Sequence, residues 1–317
     1  MEKGGEKLMR WACLLLMVSS CVGCFGSQLR VMLDFFPNPN HVPLYVAQAE
    51  GFLTETKVEL LRPADPSDPV KLAATGQVDL AITPQINYLI AKGAGLPLIA
   101  VAALIDGALG GLLSLEEYGV KELSDLRGRR VGYSLAPLEP VLWRTMLASV
   151  GVGDEEFQLV NVRMNTVAAL LSHGVDAIGA FRNFELIEVE LLGKKPVFFP
   201  QEDYGVPNTY ELLLVANPAV AWGKEEEVRR FISALAQGVS FTCSRPEEAF
   251  SCFVSFFPEL DDELNRRALL ATLEVYAWGA RHDDEARWEG MQRYLLENGL
   301  MERGFPLEEL YTRDFLP

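Results

Sequence analysis

Short apolar runs alternate with helix-like segments from residue 30 to residue 181, and this alternation limits the possible folds more than any other feature of the chain. Strands separated by helices cannot pair as hairpins. They run parallel, with the helices covering the sheet faces, which is an α/β architecture. Residues 30–34 read as a strand, followed by a Pro/Asn-rich turn to His41 and a helix over 43–51 that a glycine closes. Strands at 58–61 and 78–83 and helices at 70–75 and 85–92 repeat the unit. The theme returns over 116–208, with strands at 129–133, 157–162 and 177–181. Two apolar runs, 109–115 and 210–216, bracket that stretch and read as crossovers at a hinge. The predicted layout is therefore two α/β lobes: 28–115 plus 209–317 form the first, and 116–208 the second. Helices predicted at 224–243, 246–256, 261–278 and 284–298 pack on the first lobe. No repeat or low-complexity linker interrupts the pattern. A cleft between two lobes is the default place for a small molecule, and hinge closure is the motion that goes with it.

The first 24 residues read as a secretory signal. Lys3, Lys7 and Arg10 precede an apolar run over 11–18, then Val18-Ser19-Ser20-Cys21 and Val22-Gly23-Cys24. Small residues before a cysteine suit lipoprotein processing, so Cys21 or Cys24 is expected to carry the lipid. The apolar run is shorter than the roughly 18 residues that cross a bilayer. The expected location is a membrane tether facing the periplasm or exterior. A formal net charge of −16, with no basic stripe, opposes nucleic-acid binding. The three histidines, His41, His173 and His282, stand far apart without metal-ligand spacing, and neither metal nor cofactor is expected. Cys243 and Cys252 flank Pro246 and read as free thiols, with a disulfide as the alternative.

Residues 33–44, Leu33-Asp34-Phe35-Phe36-Pro37-Asn38-Pro39-Asn40-His41-Val42-Pro43-Leu44, resemble the opening of solute-binding proteins that deliver thiamine pyrimidine precursors to ABC importers. Ala64-Asp65-Pro66-Ser67-Asp68-Pro69, Gly76-Gln77-Val78-Asp79, Val131-Gly132-Tyr133-Ser134, Gly179-Ala180-Phe181-Arg182-Asn183-Phe184-Glu185 and Gly205-Val206-Pro207 follow in collinear order. The resemblance implies a type II periplasmic binding fold. It also implies a pyrimidine of the hydroxymethyl or formylamino type as ligand, and a permease with its ATPase as partners. Two departures bear on the ligand. Phe35 stands where the family usually has Trp, and Leu135, Ala136 and Pro137 follow Ser134 where glycines are common.

A 4-aminopyrimidine is flat, carries an amino donor beside a ring-nitrogen acceptor, and has little negative charge. Its site should offer aromatic faces and a carboxylate or amide edge. Phe35 is placed to stack on the ring, worth ~0.5–1.5 kcal/mol beyond area burial, unless it serves only as core. Asn38 can pair with the pyrimidine edge, and His41 lies in the same turn. Turn chemistry and helix capping are the plainer roles for both. Glu185 follows the 177–181 strand, at the strand end where ligands of open α/β sheets sit. A charge-assisted bond from its carboxylate to an exocyclic amine is worth ~1.5–3 kcal/mol, against a plain interaction with the helix dipole. Asn183 is read as orienting that carboxylate or touching the ligand, and Arg182 as pairing with an acid. Gln85 and Ser134 follow strands and point into the cleft or cap helices. Tyr204 closes a second aromatic face or packs at the hinge.

An enzyme is the first rival reading. The resembled family has a eukaryotic relative that makes the thiamine pyrimidine by sacrificing a histidine at a Cys-rich iron site. This chain has no Cys-rich run. Gly132-Tyr133-Ser134-Leu135-Ala136 lacks the closing glycine of a hydrolase nucleophile elbow. The chain is therefore read as a binding protein and not an enzyme. The second rival keeps the fold but changes the cargo to riboflavin or an alkylsulfonate. An anion would need a basic or helix-N-terminal pocket, which Glu185 disfavours.

Overall fold

The computed structural model of the chain describes residues 28–317 except 54, 55, 66 and 164. The expected signal and its candidate anchors, Cys21 and Cys24, lie outside the described residues. Among the described residues ten strands form: β1 (Gln28–Met32), β2 (Lys57–Leu61), β3 (Leu80–Thr83), β4 (Ile99–Ile105), β5 (Gly110–Leu115), β6 (Arg130–Tyr133), β7 (Gln158–Asn161), β8 (Ala177–Phe181), β9 (Pro196–Pro200) and β10 (Leu212–Ala216). They divide into two five-stranded sheets, ordered β2-β1-β3-β10-β4 and β7-β6-β8-β5-β9. In the first, β1 runs parallel to β2 and β3, and β10 runs antiparallel to β3 and β4. In the second, β6 runs parallel to β7 and β8, and β5 runs antiparallel to β8 and β9. Each sheet thus has one reversed strand, and in each it is the strand that enters from the other sheet.

That topology moves one expected boundary. The apolar run 109–115 does not belong to the first lobe, because β5 pairs with β8 and β9 of the second sheet. The chain crosses earlier, at residues 106–109, where Gly107 adopts a φ of +123°. At Gly111 a side chain would collide with the Phe199 carbonyl and the Phe198 ring, so glycine is what lets β9 lie beside β5. The strand-like reading of 210–216 agrees with β10, which completes the first sheet.

The first sheet is covered on one face by helices Val42–Ala49, Glu225–Ser244 and Pro246–Phe256. Their buried Leu44, Val46, Phe231, Leu235, Phe250 and Phe253 join Leu29, Val31, Leu80 and Val101 of the strands in one core. Gly238 allows this packing, because the Pro43 carbonyl of the facing helix occupies the space a Cβ would take. On the other face, helices Gln85–Gly93 and Glu285–Glu297 bury Tyr88 and Trp288 edge to face, 6.0 Å apart. The helix expected over 261–278 ends at Thr272. Beyond it, residues 275–277 are drawn to the exposed edge of β4, where Asp106 N–H donates to Val275 O (2.6 Å) and Ala277 N–H to Leu104 O (2.9 Å). Edge pairing outweighs helix propensity here. Cys243 and Cys252 are free thiols.

Candidate functional site

Loops leaving the C-terminal ends of parallel strands shape the crevice of an open α/β sheet. In the first sheet, β1 leads into Asp34–His41 and β3 into Pro84–Gln85. In the second, β6 leads into Ser134 and β8 into Arg182–Glu185. The two groups meet directly. Asn183, almost fully buried, donates from Nδ2 to Asn40 Oδ1 (2.8 Å) and to Thr272 Oγ1 (2.9 Å). Asn40 and Thr272 belong to the first lobe, so these bonds join the lobes across their seam.

On the first-lobe side, His41 is fully buried. Its Nδ1 accepts from the Asn38 N–H at 3.3 Å, so the ring proton sits on Nε2 and is donated to Asp34 Oδ1 at 2.7 Å. His41 therefore orients Asp34. Asn38 caps the short helical turn at Pro39–His41: its Oδ1 accepts from Asn40 N–H (2.9 Å) and its Nδ2 donates to Phe36 O (3.0 Å). Both ends of its amide are engaged in the turn. Phe35 is half-buried and meets Phe36 edge-on at 5.2 Å, while Phe36, 54% exposed, carries the Arg62 guanidinium over its face. Gln85 is fully buried, and its Oε1 accepts from Thr209 Oγ1 (2.8 Å) and Tyr210 N–H (3.0 Å) of the return crossover.

On the second-lobe side, Glu185 opens helix Glu185–Leu191 and turns its Oε2 back to accept from Phe181 N–H at 2.8 Å. Burial raises its pKa, the Phe181 amide opposes the rise, and the nearby Glu188 and Glu139 add to it. The Ser134 N–H donates to Glu139 Oε2 at 2.6 Å, and burial raises Glu139 as well. Arg182 is paired with Glu202 at 2.5 Å and lies 5.6 Å above the Phe198 ring, as its expected pairing with an acid requires. Tyr204 packs edge-on against Phe199 of β9 at 6.1 Å.

The hinge holds a residue that the sequence reading did not select. Glu211, directly before β10, is buried, and its Oε2 accepts from Leu109 N–H of the outgoing crossover at 2.7 Å. It bolts one crossover to the other. Burial pushes its pKa up to about 7; the Leu109 amide and Arg182 oppose this, and Asp34 adds to it. The signal was present, since Glu211 is the one charge in an apolar strand. Asp34 and Glu139 carry no comparable mark. Two surface concavities, of about 420 and 250 Å³, lie beside Arg127 and Glu156 and beside Asn208 and Arg287; neither is lined by the seam residues.

The family model described as "NMT1/THI5 like" matches residues 38–249. A Haemophilus influenzae protein, provisionally named for thiamine biosynthesis, is 40% identical over 89% of this chain and 90% of its own length. The chain belongs to the NMT1/THI5-like family. Another relative is the formylaminopyrimidine-binding protein of Halalkalibacterium halodurans, 28% identical over 90% of this chain and 89% of that protein. Among solved structures, the alkanesulfonate-binding protein SsuA of Xanthomonas axonopodis pv. citri superposes with a TM-score of 0.71 at 15% identity, covering 90% of this chain and 99% of that one. The architecture is that of the periplasmic binding proteins, as the resemblance of residues 33–44 implied. Among the described residues, no helix is long and apolar enough to cross a membrane.

Proposed function

We propose that this NMT1/THI5-like protein is the extracytoplasmic solute-binding component of an ABC importer, capturing a thiamine pyrimidine precursor between its lobes. Permease and ATPase would be its partners, and a lipid on Cys21 or Cys24 its membrane tether. The observation that carries the reading is the seam itself. Asp34, Glu139, Glu185 and Glu211 stand about the junction of the lobes, while Arg182, whose charge reaches Glu211, is already paired with Glu202. Such a lining favours a neutral or hydrogen-bond-donating solute and repels an anion. A 4-aminopyrimidine meets that demand, with its amine directed to a carboxylate such as Glu185 and its ring near Phe35. The relative named as a formylaminopyrimidine-binding protein supports the same class of cargo.

A synthase is the competing reading, because a Legionella pneumophila relative, 27% identical, is named 4-amino-5-hydroxymethyl-2-methylpyrimidine phosphate synthase. The residues of this chain do not favour it. His41 is sealed between Asp34 and the Asn38 amide. His173 is stacked on Tyr118 and paired with Asp176, and His282 is buried against two carbonyls. Cys243 and Cys252 are free thiols on helices Glu225–Ser244 and Pro246–Phe256. Calorimetry with aminopyrimidines, riboflavin and alkylsulfonates tests the proposal. Stoichiometric binding of an aminopyrimidine without turnover is expected, and Glu185→Ala should weaken it about ten-fold or more. Binding of a sulfonate or flavin with no response to any aminopyrimidine would overturn it.

A further inference from the structure

We infer that Gln85 contacts the captured solute and sets its specificity, donating from its side-chain amide to an acceptor atom such as the ring nitrogen of a 4-aminopyrimidine. The inference rests on the solute-binding reading above. Gln85 is fully buried at the end of β3, and a backbone N–H can only donate. Its bond from Tyr210 N–H therefore fixes Oε1 as the acceptor and leaves the amide no alternative flip. Thr209 Oγ1 donates to the same oxygen, and the backbone N–H of Gln85 donates to Tyr210 O at 3.2 Å, so the main chain and the side-chain oxygen are both tied to the crossover. Nε2 is left buried and meets no protein acceptor. An unpaired amide in a fully buried position is costly, and an apolar side chain would avoid that cost.

The placement of this group links it to the seam. Tyr210 precedes Glu211, whose carboxylate holds Leu109 N–H, and Leu109 O accepts from Arg182 N–H at 3.0 Å. Of the six buried side-chain polar atoms that meet no protein partner among the described residues, four belong to this region: Gln85 Nε2, Arg182 Nε, Asn183 Oδ1 and Glu202 Oε2. Such clustering is what a polar solute held between the lobes would account for. Carboxylates read the donor of that solute, and Gln85 supplies the complementary donor to its acceptor.

The test is a two-by-two calorimetric comparison. Wild type and Gln85→Met are titrated with 4-amino-5-hydroxymethyl-2-methylpyrimidine and with its analogue in which carbon replaces the ring nitrogen beside the amine. Wild type should prefer the pyrimidine by ten-fold or more, and the variant should bind both about equally. A variant that weakens both ligands by the same factor shows a purely structural Gln85 and overturns the inference, as does an unchanged preference. A wild type that does not discriminate overturns it even if Gln85→Met fails to fold, and Gln85→Leu then repeats the variant arm. If wild type binds neither ligand, the solute-binding reading fails first and the inference falls with it.

Discussion

Glu211→Gln gives the sharpest test of how the hinge is built. Burial lifts the Glu211 pKa from the ordinary carboxylate value of 4.5 to about 7. Each pKa unit is worth about 1.4 kcal/mol, so ionising this group in the fold costs about 3 kcal/mol more than in the unfolded chain. A carboxyl raised in this way binds its proton more tightly when folded. Its contribution is fully favourable below about pH 4.5, declines as pH rises, and is lost above about pH 7. Glutamine can still accept from Leu109 N–H, but it does not titrate. The stability of Glu211→Gln relative to wild type should therefore grow by about 3 kcal/mol between pH 4.5 and pH 8. Urea denaturation of both proteins across that range measures it. Glu139, Glu185 and Glu188 are raised too, and Asp176 is lowered, but these groups are common to both proteins and cancel in the difference. A difference that stays flat with pH would refute the buried, ionisable hinge acid.

Asn183→Ala removes both seam bonds, to Asn40 and to Thr272. It should lower stability by about 1–3 kcal/mol and enlarge the radius of gyration in small-angle scattering; an unchanged radius would mean that the lobes are held elsewhere. Gly238→Ala separates two opposed effects. Helix propensity alone predicts a gain of about 1 kcal/mol, whereas the collision with Pro43 O predicts a loss of about 1–3 kcal/mol. Thermal denaturation should show the loss.

Much of the fold was legible because strand-helix alternation has few solutions, and collinear motifs agreed with it. What escaped depended on pairing partners distant in sequence. The run 109–115 looks the same whichever sheet receives it, and only the turn at Gly107 and the clearance at Gly111 send it to the second. The strand β9, Pro-Val-Phe-Phe-Pro, went unread because its flanking prolines suggest a loop and it has no polar alternation. The predicted helix over 261–278 overshot because the free edge of β4 was invisible from sequence. Strand-end logic put Gln85, Ser134, Asn183 and Glu185 just beyond β3, β6 and β8, where they stand. It could not show which of their polar atoms the protein itself would occupy: Asn38 proved a turn cap, His41 a support for Asp34, and Asn183 a tie between lobes.

Fold and cargo are separable in this architecture, and charge is what separates them. The shared topology fixes where a crevice forms, whereas the residues at the strand ends decide what may enter it. The superposition with an alkanesulfonate-binding protein thus speaks for the crevice and is silent on its lining. Two like charges 4 Å apart repel by about 4 kcal/mol at an effective dielectric constant of 20. A sulfonate among Asp34, Glu139 and Glu185 would face that repulsion more than once wherever those groups are ionised, with Arg182 already engaged by Glu202. An amine in the same place would draw Glu139, Glu185 and Glu211, all raised by burial, toward ionisation and release the protons they hold. Capture of the proposed aminopyrimidine should then be accompanied by net proton release near pH 6, seen as a dependence of the calorimetric heat on buffer ionisation enthalpy. Net uptake there would contradict the carboxylate lining as the reader of the cargo.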